Sequence, residues 1–128
     1  MLAMAVQRRE VHASMNEVNR QRRGHGFLPD WDALESIPLL YETEAVPLEQ
    51  KLVHLHYFVG SCDWYVAELD DDSWSAFGYA NLGDAQNAEW GYFSLPELEA
   101  VVVRPGFVVE RDLCWTAQSF SAGLGRCQ

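Results

Sequence analysis

Lysine is scarce in this sequence, and long apolar runs are missing. Lys51 is the only lysine among 128 residues, and nine basic residues stand against nineteen acidic ones, for a net charge of −10. A basic footprint for phosphate groups is therefore missing, so direct binding to nucleic acid is not expected. No apolar run approaches the roughly 20 residues of a bilayer span. The first residues also lack a basic segment followed by an apolar one, so neither a membrane protein nor a secretory signal is expected.

Cysteines are few as well. Cys62, Cys114 and Cys127 are odd in number and show no CxxC spacing. Neither a disulfide framework nor a zinc ribbon is therefore expected. Cys114 is predicted to pack in the core. The predicted location of the protein is a reducing cytoplasm. The sequence also lacks a P-loop, a GxSxG elbow and an HExxH motif. We therefore expect a protein that is not an enzyme and that uses no cofactor or metal.

The charges that are present are distributed unevenly. Residues 1–28 carry five arginines and two acids, a net +3, whereas residues 29–128 carry four basic and seventeen acidic residues, a net −13. A thin apolar stripe over residues 4–23 is consistent with a polar helix or with a solvated arm. We predict three parts: a basic N-terminal arm over 1–28, a single domain over 29–120 and a flexible tail over 121–128.

Alternating apolar residues predict an antiparallel sheet in the middle of the chain. Residues 51–59, 64–69 and 74–79 have the period of strands and are joined by short turns, which cannot make parallel crossovers. A fourth strand is predicted over 89–93, followed by a helix that begins at Ser94 with a capping-box pattern. The predicted fold is α+β, with a four- to five-stranded antiparallel sheet and a helix packed on one face.

Shorter elements flank this sheet. Asp30 is placed to cap a short helix that carries Trp31 and Leu34 on one face. Residues 107–110 and 113–116 predict two further short strands around an Arg-Asp pair.

Several segments resemble a bacterial domain family of unknown function. They are GYFSLPELE at 91–99, which fits the pattern GYFSLxELE, ERDL at 110–113, LYETE at 40–44, WYVAELD at 64–70 and FG at 77–78. Their order and spacing agree with the family over about residues 34–118. That family is carried on plasmids, conjugative elements and phages. The resemblance therefore implies a fold and a mobile genetic element as the context, but it implies no chemistry.

Carboxylates cluster in the turns and loops of the predicted sheet. The candidate protein-binding residues are Glu42, Glu44, Glu49, Asp70, Asp71, Asp72 and Asp84. Trp74 and Trp90 flank loops and are candidates for the same surface. One interpretation is an acidic surface that only favours solubility. The other is a surface that imitates the phosphate backbone and occupies a basic nucleic-acid channel on another protein.

The second interpretation predicts a cytoplasmic, non-enzymatic inhibitor of a basic nucleic-acid-binding protein, of the anti-CRISPR or anti-restriction type. Such a protein does not itself bind nucleic acid. The sequence also allows the chain to form a homodimer. An adaptor of a conjugation system is a further class that the sequence allows.

An alternative function uses histidines. His54 and His56 share a strand face and would offer two imidazoles to a metal, with Glu68 on the next strand as the third ligand. Glu110 and Asp112 would be an acid pair for general acid–base work. The favoured explanation of these residues is a salt-bridged strand edge, because no nucleophile or glycine-rich loop accompanies them. This alternative is a small metal-dependent or catalytic accessory factor of plasmid or phage DNA processing.

Overall fold

The structure, a computed structural model, describes residues 15–124 of the chain. Its helices and strands are α1 (Arg20–Arg23), α2 (Trp31–Glu35), β1 (Leu52–Val53), β2 (Leu55–Val59), β3 (Cys62–Leu69), β4 (Ser75–Leu82), β5 (Glu89–Ser94), α3 (Leu95–Ala100), β6 (Val102–Val103), β7 (Phe107–Val108), β8 (Glu110–Arg111) and β9 (Gln118–Ser119). Short 3-10 turns cover Leu48–Gln50, Ala85–Asn87 and Phe120–Ala122. The predicted α+β class is confirmed.

The central sheet has five antiparallel strands in the order β5-β4-β3-β2-β8. Strands β2 to β5 follow one another as a meander, as the short turns predict. The first predicted strand is interrupted at His54, whose backbone N–H donates to the carbonyl of Val66 at 2.8 Å. On the N-terminal side of that break, β1 lies outside the central sheet and pairs with β9. The strand predicted over 113–116 is wrong, since those residues form a turn and a loop.

A bulge in β3 decides which side chains point to each face of the sheet. The register between β3 and β4 shifts between Val66 and Glu68, so Ala67 is the extra residue. Gly78 lies opposite Val66, and a Cβ built on it would stand 1.8 Å from the carbonyl oxygen of Tyr65. Glycine is therefore required for the two strands to approach this closely. After the bulge, Glu68 lies on the same face as Phe77, its partner on β4.

The opposite face of the sheet carries the hydrophobic core. Leu55, Tyr57 and Val66 pack there with residues of the helices, including Leu34, Leu95 and Leu98. Both predicted helix starts are confirmed, because Asp30 accepts from the N–H of Ala33 at 3.0 Å and Ser94 accepts from that of Glu97 at 3.2 Å. Trp31 is 42% exposed, whereas Leu34, three residues later in the same helix, is buried.

The described part of the basic arm packs into this core. Phe27 is fully buried and stacks on Tyr57 with 4.3 Å between ring centroids, and the Tyr57 hydroxyl donates to the Phe27 carbonyl at 2.8 Å. Burial raises the pKa of Tyr57 well above its usual range. Of the predicted helix over 4–23, the structure shows helix at Arg20–Arg23 within the described residues, and the part before residue 15 lies outside them.

The position of Cys114 and the length of the helices are both described within residues 15–124. Cys114 is exposed in a turn, so the expectation that it packs in the core is wrong. Between residues 15 and 124, no helix is long and apolar enough to cross a bilayer.

Candidate functional site

Aromatic rings cover the outer face of the sheet, opposite the core. Phe77 lies against Trp90 and Tyr92, at centroid distances of 5.6 and 5.1 Å. Tyr79 and Trp90 in turn contact Phe120, at 4.8 and 5.0 Å, from the segment near the C-terminus. The backbone N–H of Phe120 donates to the carbonyl of Lys51, which joins this segment to the loop before β1. The rings thus form one continuous aromatic layer.

A cleft of about 360 Å³ opens between this layer and the loop that precedes β1. Its lining includes Tyr41, Glu44, Lys51, Glu68, Phe77 and Tyr92. The wall is therefore aromatic on the side of β4 and β5. The loop side supplies charged groups and, in addition, the apolar side chains of Val46, Pro47 and Leu48. We call it the Tyr92 cleft.

A buried ion-pair network forms the floor of the Tyr92 cleft. The Glu68 carboxylate accepts from the backbone N–H groups of Tyr41 and Thr43, at 2.8 and 3.1 Å, and from the Thr43 hydroxyl. The Lys51 ammonium lies 3.7 Å from that carboxylate and donates to the Thr43 hydroxyl, at 2.8 Å, and to the Thr43 carbonyl. Since Lys51 and Glu68 are both buried, their charges compensate each other inside the protein.

Two exposed tyrosines form the rim of the Tyr92 cleft. Tyr41 is 62% exposed and Tyr92 is 58% exposed, with 6.3 Å between their ring centroids. A hydrogen bond with Tyr41 raises the pKa of Tyr92, and the nearby carboxylates of Glu68 and Glu44 add to that rise. Tyr41 has a φ of 73°, a left-handed conformation that costs a residue with a side chain of order 1–3 kcal/mol. Its N–H bond to Glu68 helps hold that conformation in place.

Most of the predicted acidic residues meet at one end of the sheet. The backbone N–H of Leu69 donates to the carbonyl of Pro38 at 2.9 Å, and Glu68 binds the N–H groups of Tyr41 and Thr43. These bonds place the loop of Glu42 and Glu44 beside the end of β3. The turn of Asp70, Asp71 and Asp72 follows immediately along the chain. We call these five residues the acidic end.

The two remaining acidic candidates lie elsewhere. Asp84 follows β4, whose eight residues separate it from the acidic end by about 25 Å of strand. Glu49 lies in the 3-10 turn that contacts the Phe120–Ala122 turn, beside the aromatic layer. The structure therefore brings five of the seven predicted residues together and separates Asp84 from them.

Some of these carboxylates have local structural roles. Asp70 accepts from the N–H of Ser73 at 2.8 Å and from its hydroxyl, and these bonds lower the pKa of Asp70. Glu42 accepts from the N–H of Leu39 at 2.7 Å, and Asp84 accepts from that of Gln86 at 3.0 Å. Local turn geometry thus explains part of the acidic composition.

His54 and His56, the candidate residues of the metal-dependent or catalytic alternative, lie in different environments. His56 is fully buried, with Nδ1 2.9 Å from an Asp112 oxygen and Nε2 2.8 Å from an Asp63 oxygen. Its ring stacks on Tyr65 at 4.5 Å. His54 is half-buried, and burial lowers its pKa.

Glu68, the expected third ligand, is bound to Lys51 and Thr43 as described above. No group of three His, Cys, Asp or Glu side chains within residues 15–124 is placed to hold a metal ion. Of the proposed acid pair, Asp112 binds His56, while Glu110 lies 3.3 Å from a nitrogen of His25.

Sequence reasoning missed the residues that shape the Tyr92 cleft. Tyr41, Lys51, Phe77 and Tyr92 were not candidates, because each lies in a segment whose local pattern indicates only a strand or a loop. The single lysine in an acidic chain was the one available signal. Of the two candidate tryptophans, Trp90 lies in the aromatic layer, but Trp74 is buried in the core, so the prediction that Trp74 lies on a recognition surface is wrong.

Comparison with known proteins agrees with the resemblance seen in the sequence. No curated protein and no solved structure matches the chain. A family model does match, over residues 41–122, which covers the Tyr92 cleft and all five strands of the central sheet. The chain belongs to the family described as "Protein of unknown function (DUF2958)".

Proposed function

We propose that this protein is a non-enzymatic binding protein that docks its acidic end on a basic nucleic-acid-binding protein and thereby excludes the nucleic acid. The observation that carries the proposal is that the loop of Glu42 and Glu44 lies beside the end of β3, from which the Asp70–Asp72 turn continues. A protein that competes with a phosphate backbone must concentrate its negative charge, since duplex DNA carries one charge per roughly 1.7 Å of axis.

The placement of basic residues supports the same conclusion. Lys51 is buried against Glu68, and Arg23 is buried against Glu99, so neither cation offsets the charge of the acidic end. Glu44 and Asp72 are exposed at that end. A basic surface on a partner would therefore meet carboxylates that are already held in place by the loop and the turn.

The context of the proposal is a mobile genetic element. Plasmids and phages must escape restriction enzymes and CRISPR effector complexes of the host cytoplasm, which hold nucleic acid in basic channels. An acidic domain that occupies such a channel acts by binding alone and needs no catalytic group. Its association with the partner is fast and weakens with salt, because charge steering is screened beyond about 8 Å at physiological ionic strength.

The test is a competition experiment on purified restriction enzymes and CRISPR effector complexes. Each is bound to labelled duplex DNA, and the chain is added while fluorescence anisotropy is followed. We expect release of the DNA from at least one complex, with an inhibition constant that rises with salt. The double variant Asp71→Lys/Asp72→Lys should weaken the release by at least tenfold, because it reverses charge at the acidic end.

The matched control is Asp84→Lys/Glu89→Lys, which makes the same change of net charge at the other end of β4. This control should release DNA about as well as the unaltered chain. An equal loss of DNA release in both variants would mean that release depends on the net charge of the chain and not on the position of the charge at the acidic end. Direct binding of the chain to duplex DNA, or DNA release that is unaffected by Asp71→Lys/Asp72→Lys, would contradict the proposal.

A further inference from the structure

We propose that the Tyr92 cleft binds the side chain of an arginine from the basic partner. This inference rests on the proposed function, because it names the group that the acidic end recognises. It makes a separate claim, however, since the cleft and the Asp70–Asp72 turn are different structures. The arginine would lie against the rim tyrosines, with its guanidinium facing Glu44.

The charge of the cleft favours a cation. Three charged side chains line it: Lys51, Glu68 and Glu44. Lys51 and Glu68 compensate each other at 3.7 Å, so the charge that remains is the carboxylate of exposed Glu44. An anionic ligand would meet this carboxylate, whereas one guanidinium neutralises the lining.

The aromatic rim favours arginine over other cations. A cation within about 6 Å of a tyrosine ring centroid is attracted to the face of the ring. A planar guanidinium can in addition stack flat on that face and donate two parallel N–H bonds to a carboxylate, a geometry that a lysine ammonium cannot adopt. The exposed rings of Tyr41 and Tyr92 stand at the mouth of the cleft beside Glu44 and supply both requirements.

The size and rigidity of the cleft fit one side chain. Its volume of about 360 Å³ is at the lower end for ligand pockets, which is too small for a helix or a strand. Tyr41 is held in its left-handed conformation by the bond from its N–H to the buried Glu68. Little ordering is thus left for the ligand to induce.

The test uses short peptides with the full chain. Capped Gly-Gly-Arg-Gly-Gly is titrated into labelled protein while the ring resonances of Tyr41 and Tyr92 are followed by NMR. The matched probe replaces arginine with citrulline, which keeps the shape of the side chain but removes its charge. We expect saturable shifts with the arginine peptide, weaker shifts with a lysine peptide and none with the citrulline peptide.

Variants locate the binding. Tyr92→Leu and Glu44→Gln should each weaken arginine binding about fivefold, in keeping with one cation–π contact or one charged contact. Phe107→Leu, which alters an exposed ring on β7, and Glu89→Gln, which removes a charge on β5, should leave the affinity unchanged. Backbone amide spectra confirm that each variant is folded.

Three outcomes would overturn the inference. They are binding of the citrulline peptide as tight as that of the arginine peptide, no saturable shift with arginine, and no effect of Glu44→Gln. Shifts of the same resonances with protein concentration alone would assign the cleft to a second copy of this chain. If the cleft binds no arginine while the chain still displaces DNA, only this inference fails. If it binds arginine while Asp71→Lys/Asp72→Lys has no effect on DNA release, only the proposed function fails.

Discussion

The guanidinium of Arg23 and the carboxylate of Glu99 form a buried ion pair, with 2.9 Å between Nη1 and Oε2. The same carboxylate accepts from the backbone N–H groups of Val18 and Asn19, and Arg23 also donates to the carbonyl of Val109 at 2.7 Å. Residues 18–23 are therefore joined to α3 and to the residue before β8. The composition of residues 1–28 predicts a separate basic arm, whereas residues 18–23 contact the body through these bonds.

Arg23→Ala should lower the free energy of unfolding by about 3–5 kcal/mol, because it leaves the charge of Glu99 buried without compensation. Arg20→Ala, three residues earlier and largely exposed, should change it by no more than about 0.5 kcal/mol. Urea unfolding followed by tryptophan fluorescence measures both. A chain that begins at residue 29 should fail to unfold cooperatively. Cooperative unfolding of that chain at the normal midpoint would show that the body folds without residues 1–28.

Gly78→Ala should destabilise the protein by about 1–3 kcal/mol, because the new Cβ meets the backbone of β3 and the strands must move apart. Gly91 lies directly opposite Gly78 on β5, and a Cβ there meets no heavy atom within 4 Å of those described. Gly91→Ala is therefore the matched control and should be nearly neutral. Thermal unfolding of the two variants makes the comparison, and equal midpoints would mean that the bulge adapts.

His56→Ala should destabilise the protein by several kcal/mol. It removes a buried ring and leaves the carboxylates of Asp63 and Asp112 without the nitrogen atoms that face them. His54→Ala, at a half-buried position two residues earlier, should lower the free energy of unfolding by much less. Chemical unfolding distinguishes the two variants. If His56→Ala is as stable as the unaltered chain yet loses activity in the DNA-release experiment, a direct role of His56 would replace the structural one.

Asp70→Asn should lower stability at neutral pH and have little effect in acid. The bonds from Ser73 lower the pKa of Asp70 in the folded state, so this carboxylate stabilises the fold above its unfolded pKa, near 3.8. That stabilisation is lost as the pH falls through the lower, folded pKa. Unfolding midpoints of the variant and the unaltered chain should therefore converge once the pH is below the folded pKa of Asp70. A difference that persists at lower pH would point to a role other than the charge.

The sequence predicted the elements whose causes are local. The period of two over residues 51–79, the short Asp70–Ser73 turn and the caps at Asp30 and Ser94 each act within a few residues. The meander of β2 to β5, the two helix starts and the acidic turn were therefore predicted correctly. The same local pattern indicated the candidate acidic residues, but it did not indicate which of them would meet.

The errors share a physical origin in contacts between distant segments. Arg23 and Asn19 appeared to be solvated residues of a basic arm because their partner, Glu99, lies about 80 residues away. Cys114 was predicted to lie in the core because its neighbours are apolar, and yet it lies in an exposed turn. A one-dimensional pattern reports the average burial of a segment and does not report the partner of each polar group.

The sequence alone determined that this chain forms an antiparallel α+β domain with a large excess of negative charge, because strand period, turn chemistry and composition are local properties. The tertiary structure decided where that charge lies. The bulge at Ala67 turns Glu68 toward the outer face, where it pairs with the only lysine and fixes the loop of Tyr41. A shift of one residue along a strand exchanges its two faces, and only packing between strands sets that register.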